Sequence, residues 1–128
     1  MRYLLDTHAL LWWLFDDPKL SQRAREIIAK PEHEILVSAA SAWEIATKHR
    51  LGKLPEAGDI VDQLPTYIQK ARFTTLDVVV EHALLAGRLP GPHRDPFDRM
   101  LIAQARILNV PVVTTDPVFG NYRVVVVW

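Results

Sequence analysis

Four carboxylates could do chemistry together: Asp6 in LLDTH, Glu44 in SAWEIA, Asp98 in DPFDRM and Asp116 in VVTTDP. Asp6 follows the apolar run Tyr3-Leu4-Leu5, Asp116 follows Val110 to Val113, and Glu44 comes shortly after Ile35-Leu36-Val37. Each run is too short for a helix and reads as a strand buried on both faces. Acids placed after such strands share the carboxyl edge of a parallel sheet, where open α/β folds bind their ligands. Carboxylates gathered there repel one another unless they are protonated or bridged by a hard cation, and oxygen ligands suit Mg²⁺ or Mn²⁺. A metal so held lowers the pKa of a bound water and stabilises charge on a phosphoryl group, which is the chemistry of phosphodiester hydrolysis.

The elements that must position these acids alternate strand and helix, which predicts a mainly parallel sheet of about five strands flanked by helices. The Asp6 strand hands over to Ala9-Leu10-Leu11-Trp12, SQRAREIIAK forms a second helix before Pro31, and Ser38 to Ala46 follows the next strand as a third. Asp59 to Arg72 carries one apolar face interrupted by Pro65, so it reads as two short helices or one kinked helix. Asp77 can cap the helix VVVEHALLAGRL, with His82 at a core edge or the surface. Asp95-Pro96 fits a helix start, Asn109 its end, and the run Tyr122 to Trp128 closes the sheet as a last strand. Local roles compete with chemistry at each acid: Asp6 can be an N-cap, Ser41 and Glu44 match a capping box, and Asp98 falls in a first helical turn.

The 128 residues, 49% hydrophobic, suffice for one domain spanning 1–128 with a real core. With no cysteine, a metal can be held only by oxygen or imidazole. No apolar stretch reaches the roughly 20 residues of a membrane span, and Met1 leads straight into a strand, so a cytoplasmic protein with no membrane association is expected. Lys plus Arg (15) balance Asp plus Glu (15), so nucleic-acid binding would need a local basic patch. Lys48, Arg50, Arg94 and Arg99 are the candidates for phosphate contacts. Trp12, Trp13, Leu14 and Phe15 make more apolar surface than one helix face buries, which predicts a homodimer and a partner docked between helices.

The succession LLDTHALLW, SAWEIATK, DPFDRMLIAQA and VVTTD resembles the PIN-domain nucleases, and among them the VapC-type toxins of bacterial toxin–antitoxin pairs. The resemblance runs from the first strand to the last. It implies a three-layer PIN-like fold, with Asp6, Glu44, Asp98 and Asp116 as both the metal-binding and the catalytic set. Asp98 matches the family's acid at the head of the helix, leaving Asp95 as cap and supporting residue. Thr7 and Thr115 match positions that orient the carboxylates. The implied activity is Mg²⁺- or Mn²⁺-dependent endoribonuclease cleavage, by a homodimer held inactive by a cognate antitoxin protein. A catalytically inactive PIN-like module that binds RNA or protein is the alternative. A metal-free ribonuclease using His8, His49 or His93 as acid and base is a third possibility, and it would leave cyclic-phosphate ends.

Overall fold

Leu4 faces one side of the central sheet while Tyr3 and Leu5 face the other, and both sides are covered by helices. This is why the strands carry unbroken apolar runs instead of alternating ones. A computed structural model describes all residues from Met1 to Trp128. The strands are β1 (Arg2–Leu5), β2 (Glu34–Ser38), β3 (Thr74–Leu76), β4 (Val112–Val113) and β5 (Val126–Val127). They form one parallel sheet in the order β3-β2-β1-β4-β5, as the strand and helix alternation requires.

Helices α1 (Thr7–Leu14), α2 (Gln22–Ala29) and α4 (Gly58–Ala71) pack on the face of Tyr3, Leu5, Val37 and Val113, joined by Ile45 of α3 (Ala39–Arg50). Helices α5 (Val80–Arg88) and α6 (Pro96–Leu108) cover the other face, where Leu101, Ile102 and Ala105 meet Leu4, Leu36 and Val112. Short 3₁₀ turns occupy Pro55–Ala57 and Pro117–Tyr122. No helix is long and apolar enough to cross a membrane.

Several boundaries follow their expected caps. Asp95 Oδ1 accepts the Phe97 and Asp98 N–H groups with Pro96 in the first turn, and Asn109 ends α6 at φ 54°. Pro65 lies inside α4, which is kinked at Gln63. Three expectations are corrected. Helix α3 begins at Ala39 under a Ser38 cap, so Ser41 and Glu44 lie inside it and form no capping box. Helix α5 starts at Val80 rather than under Asp77; its entry is held by the buried His82, whose Nδ1 accepts the Val79 N–H. The last strand is only Val126–Val127, because Pro117–Tyr122 coils before it.

Candidate active site

Register explains how the first acid is held. Leu4 pairs with Val112 and Leu5 with Val113, so continuing the parallel ladder by one residue brings Asp6 level with Thr114. The Thr114 hydroxyl donates to Asp6 Oδ2 and accepts the Asp116 N–H at 3.0 Å. Asp6 Oδ1 accepts the Ala9 N–H at 2.7 Å, capping α1. Burial pushes the Asp6 carboxyl up to about 6, against these two hydrogen bonds and the nearby His8, and the charge of Asp98 pushes in the same direction as burial.

Glu44 enters from α3 and is buried. Its Oε1 lies 2.6 Å from the Thr7 hydroxyl, which is also 3.0 Å from Ser41 Oγ. Its Oε2 accepts from the Lys48 ammonium one turn along the helix. Burial draws the Lys48 pKa down, but the Glu44 carboxylate outweighs it, and with Asp95 and Asp98 adding their charge the net shift is upward.

Asp98 enters from the first turn of α6, half-buried, with Oδ2 2.9 Å from His93 Nε2. Burial raises its pKa; the His93 contact opposes this, and the charges of Asp95 and Glu44 add to it. Asp98 thus links the acids: its charge reaches Asp6, the charges of Glu44 and Asp95 reach it, and Lys48 feels Glu44, Asp95 and Asp98. Asp116 lies two residues past Thr114, whose hydroxyl accepts its N–H, and its Oδ1 caps the turn by accepting the Val118 N–H at 3.0 Å.

The donor set is oxygen-rich and mutually repelling, which fits a hard divalent cation. The carboxylates are nevertheless occupied by Thr114, Thr7, Lys48 and His93, and no three acidic or imidazole groups converge closely enough to hold an ion as they stand. The chemistry of the donors fits the metal, and the carboxylates of Asp6, Glu44 and Asp98 each have hydrogen-bond partners within the chain.

Among the expected supporting residues, Thr7 is buried against Glu44 and Asp95 caps α6. Thr115 is exposed and makes no side-chain hydrogen bond; the buried Thr114 holds Asp6 instead. Arg99 is also corrected as a phosphate contact, because its guanidinium donates to the backbone carbonyls of Ala86 (3.0 Å), His93 (2.9 Å) and Leu89. Arg50 and Arg94 are exposed. Thr114 and His93 are the contributors that spacing did not single out as supports. Aligning LLD with VVT strand against strand would have found the first.

Comparisons with known proteins agree with this architecture. Ribonuclease VapC22 of Mycobacterium tuberculosis is 28% identical over 94% of this chain and 91% of its own length. Ribonuclease VapC16 of the same organism is 41% identical over 50% of this chain and 44% of its own. Among solved structures, VapBC2 from Rickettsia felis, bound to a DNA fragment from its promoter, superposes with a TM-score of 0.73 at 19% identity, covering 99% of this chain and 98% of that one. VapBC-1 from nontypeable Haemophilus influenzae gives 0.62 at 16% identity, covering 99% and 97%. The PIN domain family model matches residues 3–125, from the first strand of the sheet to the last turn before β5, and the chain belongs to that family.

Proposed function

We propose that this protein is a metal-dependent endoribonuclease, the toxin of a toxin–antitoxin pair, that hydrolyses RNA phosphodiester bonds. The observation that carries this reading is that Asp98 of α6 lies within electrostatic reach of both Asp6, at the end of β1, and Glu44 of α3, in a PIN domain. Two relatives that are named ribonucleases support the reaction class. Asp6, Glu44 and Asp98, with Asp116 from the β4 exit, would hold Mg²⁺ or Mn²⁺. When bound, that ion supplies an activated water and stabilises charge on the phosphoryl group.

The chain's own residues prepare the site. Thr114 and Thr7 hold the carboxylates of Asp6 and Glu44 in the free protein. Lys48 neutralises Glu44 in the free protein, and beside an RNA backbone its ammonium can turn to a phosphate oxygen. Arg50 and Arg94, exposed on the flanks, extend that contact.

The similar structures are of VapBC assemblies, which supports an antitoxin partner for this chain. The half-exposed Trp12, Trp13 and Leu14, with exposed Phe15, support a protein interface on α1 and a homodimeric state, and a cytoplasmic location belongs to the same reading. The deciding experiment incubates the purified protein with RNA, with Mg²⁺ or with EDTA. Cleavage only with metal, leaving 5′-phosphate ends, is expected. Cleavage that survives EDTA and leaves cyclic phosphates would move the chemistry to the histidines, and RNA binding without cleavage would make the domain a binding module.

A further inference from the structure

We propose that Trp43 and Phe97 form a stacking subsite for an unpaired nucleobase next to the scissile phosphate. The inference rests on the nuclease reading and adds to it where the substrate's base is held.

Consecutive residues of two helices carry the acids and the aromatics together. Glu44 and Asp98 face the acid cluster from α3 and α6; the residue just before each, Trp43 and Phe97, pairs across the same two helices with ring centroids 4.9 Å apart, edge to face at 75°. Trp43 is 63% exposed, an unusual state for the largest apolar side chain, and no other ring packs within reach of it. Phe97 props it from the side, so the indole is held by a neighbour while much of its surface stays open.

The two rings border a cleft of about 430 Å³ whose walls include Ala39, Pro96 and Met100. That volume is within the roughly 300–1,000 Å³ of ordinary small-ligand clefts. Flat apolar walls with no free charge suit a π-face; the one charged residue bordering the cleft, Arg99, has its guanidinium tied to backbone carbonyls. A phosphate, by contrast, would be drawn to Lys48 and to a cation held by the acids next door. A single-stranded chain therefore finds a stacking platform and a phosphate site at adjacent positions on the same helices, the pairing that single-strand binders use.

The test measures binding of a short single-stranded oligoadenylate, and of an oligomer with the same ribose-phosphate backbone but no bases, in Ca²⁺. Trp43→Ala should weaken oligoadenylate binding roughly 5- to 150-fold, the range for aromatics on which bases stack. Trp43→Phe should keep most of the affinity, and the baseless oligomer should bind wild type and Trp43→Ala alike. Melting temperature and sedimentation should be unchanged, since the ring is largely exposed. Equal oligoadenylate binding by Trp43→Ala and wild type overturns the subsite even if the protein cleaves RNA. A change of oligomeric state in Trp43→Ala also overturns it, showing the face to be a protein interface. Failure of the wild type to bind either oligomer removes the nuclease reading and the subsite with it.

Discussion

The Thr7 hydroxyl lies 2.6 Å from Glu44 Oε1, joining the first residue of α1 to a buried carboxylate that enters from α3. With Lys48 on the other oxygen, Glu44 is satisfied although almost no water reaches it. Thr7→Val keeps the shape and removes the donor, leaving a buried carboxylate oxygen unpaired. The expected cost is about 1–3 kcal/mol of unfolding free energy, read from urea denaturation of the metal-free protein. Thr7→Ser should keep most of the stability, and a loss as large as in Thr7→Val would mean that the methyl packing, not the hydrogen bond, matters.

Metal-free stability should fall as pH rises. The folded-state pKa of Asp6 is about 6 against an ordinary 3.8, so the folded protein holds this proton more tightly than the unfolded chain does. Its contribution is fully present below pH 3.8 and is lost as pH climbs through about 6, on the order of 3 kcal/mol in all. Asp98, shifted upward chiefly by burial, adds to the same trend. Denaturation midpoints in EDTA across this window check it, and Asp6→Asn should flatten the slope. A wild-type midpoint that rises steadily from pH 4 to 6 would contradict the assignment.

Much of this was legible in the sequence because burial on both faces leaves a plain mark: Ile35-Leu36-Val37 and Val110 to Val113 have no polar alternation, and only strands between two helical layers look like that. Asp6, Glu44 and Asp116 were legible because each comes after such a run, and Asp98 because it opens the helix that feeds the Val110 to Val113 strand. What failed was resolved at one-residue precision. Ser38 and Ser41 are both competent caps, and only the depth of β2 in the sheet selects Ser38. Thr114 and Thr115 are chemically equal, but a single step along a strand reverses the side chain's direction, and the register with β1 decides that Thr114 meets Asp6. Arg99 looked like any surface cation, since nothing local reveals that the end of α5 presents its carbonyls to it.

Arg99 and Arg94 should separate cleanly. Arg99 ties the Leu89 to His93 segment to α6, so Arg99→Met should destabilise the fold by roughly 1.5–3 kcal/mol, the worth of hydrogen bonds to a charged group. Arg94 is exposed, so Arg94→Ala should leave the melting temperature unchanged while weakening RNA binding and reducing its salt dependence by about one counterion. A stable Arg99→Met variant with impaired RNA affinity would return Arg99 to the phosphate contacts.

The sharpest prediction sets function against stability at Asp98. Without metal its charge is opposed by Asp95 and Glu44 and penalised by burial, so Asp98→Asn removes an unfavourable charge at nearly constant shape. The metal-free variant should be as stable as wild type or more so, offset only by the lost charge on the His93 contact, while RNA cleavage is abolished. Mg²⁺ should raise the wild-type melting temperature, because it binds the folded site alone, and should raise that of Asp98→Asn much less. Asp95→Asn is the control: Asn caps a helix almost as well as Asp, and Asp95 already has its oxygen on the Phe97 and Asp98 N–H groups, so most activity should survive. Cleavage retained in Asp98→Asn but lost in Asp95→Asn would exchange the roles of the two aspartates in DPFD.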